Sequence, residues 1–156
     1  MKKLQLFVTN YSLRHQIVKQ NLKIMNAASQ ASISKLYVIL KYTYGLVPVV
    51  AGLDKFTNIL TNWDGYLSEG FAGMLPVAPS TFMMIVGVIE IIAGILVLTK
   101  TELGAYIVSA WLVLIALTLI FGGHYFDVAV RDIVMAIGAY TLAGLHKYLN
   151  TAKTPN

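Results

Sequence analysis

One carboxylate stands alone in the apolar run Ser80–Leu98, STFMMIVGVIEIIAGILVL: Glu90, at its centre. About 20 mostly apolar residues make a helix long enough to cross a bilayer core of roughly 30 Å, so this run places Glu90 near a membrane midplane. A charge at that depth costs at least ~2.5 kcal/mol, which makes an intramembrane acid a functional candidate by default. The competing reading is an acid that only ties helices together. Among the charged residues that flank or interrupt neighbouring apolar runs are Asp54 and Lys55 at the end of the first and Arg131 and Asp132 inside the last, while Lys41, one turn into the first, is close enough to the cytoplasmic face to snorkel. Charges in a low dielectric should pair, so Glu90 is expected to meet Arg131 or Lys55. At 1.5 Å per residue Glu90 lies ~15 Å into its run and Arg131 only ~8 Å into its own, so Tyr106, Thr118 and Tyr140 stay open as alternative partners. Lys55, Glu90, Arg131, Asp132 and Asp54 are therefore the candidates for ligand binding or a proton relay. No residue type or spacing assigns a catalytic role.

Other chemistries are excluded or weakly supported. With no cysteine in 156 residues, disulfides, thiol redox chemistry and thiolate metal ligation are ruled out within the chain, and so is a quinone reductase working through a CxxC pair. His15, His124 and His146 lie in different segments without HxxE or HExxH spacing. His124 and His146 fall at opposite ends of their helices, so they cannot share a haem. His124 beside Asp127 reads as a solvated turn rather than a metal site, and no metal site is expected. No glycine-rich phosphate loop is present, because the glycines lie inside apolar runs where close helix packing accounts for them.

The elements that must position these residues follow from composition. The chain is 57% hydrophobic and 12% charged, with mean hydropathy +0.69. Soluble domains carry about 25% charged residues. The expected fold is all-α: a four-transmembrane-helix bundle with a short outer amphipathic helix and a basic cytoplasmic N-terminal arm. The arm covers 1–35, with Lys2, Lys3, Arg14, Lys19, Lys23 and Lys35 and no acid. It reads either as a helix on lipid headgroups or as a disordered tail. It has no cleavable signal peptide pattern. The transmembrane domain covers 36–148, with spans near 36–53, 80–98, 103–121 and 126–145, and a tail follows over 149–156. Between spans 1 and 2, Phe56, Ile59, Leu60, Trp63 and Leu67 recur at helical spacing and predict the amphipathic helix, followed by a loop through Gly70 and Gly73. Trp63 suits an interfacial belt, whereas Trp111 lies mid-span, wedged between helices or facing lipid. Four spans put both termini on one side. The bases of the arm, Lys100, Lys147 and Lys153 then face the cytoplasm, as the positive-inside rule expects for a bacterial cytoplasmic membrane protein. The net charge of +5 is thus explained by lipid headgroups. The arm has too few aromatics for nucleic-acid binding.

Two motifs and their order resemble the DoxX-like superfamily of small four-helix membrane proteins. A GxxK signature ends the first span as Gly52-Leu53-Asp54-Lys55. After the Leu75-Pro76 turn, the second carries GxxExxxG as Gly87, Glu90 and Gly94. The pair Arg131-Asp132 early in the last span is similar too. The resemblance covers about 36–146. It implies a subunit of a membrane redox complex or an oxidative-stress function, with no cofactor within the chain and a quinone as the associated ligand. It also implies other membrane subunits or further copies as partners, besides membrane lipids. Two further readings stand beside it: a structural or assembly subunit with no chemistry of its own, and a small-solute or proton pathway.

Overall fold

The computed structural model describes residues 2–152, with side chains from Leu13 onward. Lys153 and the rest of the tail, and the side chains of Lys2 and Lys3, lie outside the described residues. The chain divides into two units, Met1–Leu36 and Tyr37–Asn156. The described part of the first unit is helical throughout and forms the start of α1 (Lys2–Asp54). From Leu13 to Met25 it exposes Leu13, Ile17, Val18, Leu22, Ile24 and Met25 among Arg14, Lys19 and Lys23.

The second unit holds the end of α1, a 3-10 turn Trp63–Tyr66, and helices α2 (Glu69–Met74), α3 (Pro79–Thr99), α4 (Thr101–Gly122) and α5 (Phe126–Thr151). Among the described residues, four helices are long and apolar enough to cross a membrane, and the chain is a multi-pass membrane protein by that measure. Pro79 opens α3 in the first turn, where its missing N–H costs nothing. Only Lys100 separates α3 from α4, a shorter connection than the four-residue loop 99–102 expected. It is that short because Gly104 lies directly on the backbone of Leu96 and Val97, with no side chain to hold the helices apart. Gly123 and Tyr125, both left-handed, turn the chain from α4 into α5.

The packing is inside-out relative to a soluble bundle. The core consists of small residues, Ala93, Ala105, Ala139 and Ala143 around Tyr44, Val97, Val108 and Leu142, with a second patch of Ala116, Leu119 and Ala129. The bulky apolar side chains point outward, as with Ile92, Ile137 and Phe121, the last 85% exposed. Water would penalise such a surface, whereas lipid does not, and small residues let membrane helices approach closely. On α3 the buried positions Met83, Gly87, Glu90, Gly94 and Val97, with Ala93 beside them, follow a spacing of three and four that makes one seam. Glu90 therefore occupies a central packing position.

Two glycine pairs set how α1 lies against α3. Gly52 faces Gly87, each with its would-be Cβ on the other's carbonyl oxygen, and Gly45 faces Gly94 seven residues away. The helices run antiparallel. Carrying this register along places Val49 opposite Glu90 and Lys55 about two turns from it. Across the bundle, the Tyr44 hydroxyl donates to the Met135 carbonyl at 2.8 Å, with its ring over Gly138, and Ser109 donates to the Ala136 carbonyl at 2.9 Å. At the opposite end from Lys55, the Tyr37 hydroxyl meets His146 Nδ1 at 2.9 Å and donates to Thr101 Oγ1 at 3.4 Å.

The expected amphipathic helix over 56–67 is not what forms. That stretch is turns and one 3-10 turn, and the α-helix appears at Glu69–Met74, where the glycines predicted a loop. Two side chains decide this. Asp54 captures the backbone N–H groups of Ile59 and Leu60, which a helix would have needed. Ser68 caps the helix that follows by accepting from the Phe71 N–H at 3.3 Å.

Candidate functional site: a buried ion pair under an aromatic cap

Lys55 and Glu90 meet. Lys55 Nζ lies 2.6 Å from Glu90 Oε2, with the two side chains 4% and 11% exposed. The register alone leaves their Cα atoms well apart, and helix geometry closes the gap. Every Cα–Cβ bond tilts toward the N-terminus of its helix. On antiparallel helices, Lys55 at the end of α1 leans back into the bundle while Glu90 leans the opposite way along α3, so the side chains converge. The glycines clear the path between them: Lys55 Cβ lies only 3.1 Å from where a Gly87 Cβ would stand.

Trp63 closes the site above the ion pair. The Lys55 ammonium sits 3.7 Å from the centre of the indole ring, a cation–π contact. The same indole N–H donates to Asp54 Oδ2 at 2.8 Å. Asp54 also accepts from the Ile59 N–H at 2.9 Å, from the Leu60 N–H at 3.2 and 3.1 Å and from the Thr57 hydroxyl at 3.0 Å. Asp54 is thus the clasp of the cap and Trp63 its cover. Tyr66 stacks beyond Trp63 and against Tyr125, with ring centres 5.9 and 4.7 Å apart. Removing the clasp has a local signature. In Asp54→Ala the amides of Ile59 and Leu60 lose their acceptor, and their hydrogen exchange should quicken by about tenfold or more while α4 and α5 stay protected. Unchanged exchange at those two amides would show that the cap holds itself.

The remaining helices supply Trp111 and Asp132. Asp132 lies on the inward side of α5 between Ala129 and Ala136, within electrostatic range of Arg131, Glu90 and Lys55. Trp111 of α4 lies close enough to Glu90 to interact with it. Its Nε1 is nevertheless buried without hydrogen-bond geometry to any acceptor among the described residues. The ion pair thus has the Trp111 indole beside Glu90 and a second carboxylate, Asp132, within electrostatic range. Such a group can bind a polar fragment, or hold and pass a proton.

Of the five residues chosen from sequence, Lys55 and Glu90 pair, Asp132 lies within electrostatic range of them, and Asp54 orders the cap. Arg131 does not pair with Glu90: it is exposed because it follows Val130 on the outward face, one position off the seam, and its charge acts on the adjacent Asp132. Tyr106 and Tyr140 are not partners of Glu90. They stack edge-on against each other, 5.7 Å apart, and Thr118 donates to Leu114 of its own helix. Trp63 and Trp111 were not selected from sequence. For Trp111 the mid-span position of a residue normally found in interfacial belts was a usable signal. Trp63 had none, since its link to Asp54 spans nine residues of irregular chain. Among the described residues no three His, Asp or Glu side chains cluster as a metal site requires.

Compared with protein-family models, curated proteins and solved structures, the chain matches none.

Proposed function

We propose that this protein is a DoxX-like subunit of a quinone-linked redox complex in a bacterial cytoplasmic membrane, and that the Lys55–Glu90–Asp132 cluster is its ligand-binding or proton-handling site. The carrying observation is that the two motifs behind the resemblance are two halves of one contact. Gly52 and Lys55 of GxxK meet Gly87 and Glu90 of GxxExxxG, through a glycine contact and a 2.6 Å ion pair. A pair used only to join helices has no need of a second carboxylate, a spare buried N–H and an aromatic cover. Electrons come from a partner subunit, since cysteine and cofactor ligand sets are wanting in the sequence. In this reading the Lys55 end faces outward, both termini are cytoplasmic, and the basic arm lies on anionic lipid.

The test is gentle purification from native membranes, with mass spectrometry of co-purifying proteins and extracted lipids, beside a Glu90→Gln strain. The reading expects bound quinone and loss of quinone-dependent respiration in the variant. Absence of both sinks it. The apolar stretch Leu13–Met25, exposed among basic residues, favours one alternative, a structural or assembly subunit. Under that reading Glu90→Gln lowers the yield of a larger complex and leaves its turnover per complex unchanged.

A further inference from the structure

Beside the cluster, α1, α4 and α5 leave a slot of about 230 Å³ lined by Thr43, Tyr44, Val47, Pro48, Val108, Leu112 and Met135. Its position matters more than its size. The glycine register puts Val47 and Pro48 within two residues of Val49, which lies opposite Glu90. On α4, Val108 and Leu112 bracket Trp111, and on α5 Met135 follows Asp132 by one turn. The slot therefore lies at about the depth of the Glu90 backbone, on the side of it away from Lys55, with Trp111 on the helix that borders both. Its wall is apolar: the Tyr44 hydroxyl, its most polar group, is already spent on the Met135 carbonyl. Val47 and Thr43 are exposed, so the slot opens sideways, toward what in a membrane is the acyl-chain region.

We infer that the ligand of this site enters from the membrane through this slot, and that it is a molecule with a slender apolar tail and a carbonyl-type oxygen at its head. Three observations converge on that chemistry. Trp63, clasped by Asp54, covers Lys55 and closes the route along the bundle axis. The slot suits apolar matter, because an apolar cavity of about 150 Å³ already accepts a benzene ring and stays dry. The buried Trp111 Nε1–H lies near the Glu90 carboxylate without a well-formed hydrogen bond to it or to any other described residue, and a poorly satisfied buried donor is costly enough that an incoming acceptor gains from it. An oxygen at the head takes that N–H beside Glu90, and the tail fills the slot. Charged heads are disfavoured, because an anion would face Glu90 and Asp132 and a cation would compete with Lys55. The inference rests on reading the cluster as a ligand site, as proposed above.

The test uses the two tryptophans. Wild-type protein keeps the Trp63 cover in place, and the part of its fluorescence quenching that is absent in Trp111→Phe reports contact of a quencher with Trp111. Full-length protein in lipid nanodiscs is titrated with three probes: a decyl-tailed benzoquinone, a long-chain methyl ketone brominated along its tail, and the brominated alkane of the same length. Saturable quenching is expected from the first two, with the alkane about fivefold weaker for want of the hydrogen bond. Filling the slot by Val108→Phe or Met135→Phe should raise half-saturation about tenfold or more. Each variant is checked for unchanged helicity and monodispersity, and the two are scored independently, so misfolding of one leaves the other as the test. Saturable, slot-dependent binding of the ketone without the benzoquinone upholds the slot and removes the quinone. Saturable benzoquinone binding indifferent to both fillings keeps the quinone and overturns the slot. Quenching that rises without saturation for every probe is partitioning into lipid and overturns the inference.

Discussion

Glu90→Ala is expected to destabilise the bundle by about 3–5 kcal/mol, because it strands the Lys55 ammonium in a site where its side chain is only 4% exposed. The pair itself contributes far less than this figure. Two charges lose most of their hydration on burial, and their attraction largely offsets that loss without exceeding it. Breaking the pair removes the attraction and leaves the loss. The same argument gives an opposite expectation for the double replacement Lys55→Met with Glu90→Leu, which exchanges the charges for apolar groups of similar length. That variant should be as stable as the wild type, or more stable by up to about 4 kcal/mol. Lys55 stands at the end of α1, so part of the cost in Glu90→Ala is recovered if the lysine swings outward past Trp63. Reversible unfolding in mixed micelles measures all three proteins. A single variant within about 0.5 kcal/mol of wild type would mean that water reaches the pair. A stable but inactive double variant would separate function from folding, which neither single change can do.

The second large effect is expected at the glycine crossing. A Cβ added at Gly52 would stand 2.5 Å from the Gly87 carbonyl oxygen and 2.9 Å from Ile91 Cγ1, and one added at Gly87 would stand 2.6 Å from the Gly52 carbonyl oxygen. The obstacle in each case is backbone, which cannot rotate aside as a side chain can. Alanine at either position must push α1 and α3 apart, at a cost of about 1–3 kcal/mol. Separation also lengthens the Lys55–Glu90 contact, so on the reading proposed above Gly87→Ala should lose ligand or proton function along with stability. The two alanine variants should be strongly non-additive, because both force the same displacement. Gly144→Ala supplies the contrast. Nothing lies within 4 Å of its would-be Cβ, so the change should be neutral or stabilise α5 by up to about 1 kcal/mol. Equal effects at all three glycines would show that helix propensity, rather than close approach, explains them.

These expectations separate what packing does from what charge does. The glycines fix the distance between α1 and α3, and the ion pair exploits that distance. Neither would produce the site alone. With side chains at 52 and 87 the helices stand too far apart for Lys55 to reach Glu90. Without the charges, the same crossing is an ordinary small-residue contact between membrane helices.

The sequence by itself determined the membrane character and the helical fold. A chain 57% hydrophobic and 12% charged, broken into four long apolar stretches, has few other solutions in lipid, where each backbone polar group must be satisfied within its own helix. It also determined which residues were out of place, because a charge in such a stretch is conspicuous whatever the fold. Only the tertiary structure decided the pairing. Whether Glu90 meets Lys55 or Arg131 depends on helix rotation and on the relative sliding of α1 and α3, and a single residue's offset turned Arg131 outward while Asp132 stayed on the seam. The cap was hidden for a related reason. Phe56, Ile59, Leu60 and Trp63 carry a helical period, yet Asp54 takes the amides that the helix would have used. A buried carboxylate's need for hydrogen bonds outweighed local periodicity, and periodicity is all that a linear reading can weigh.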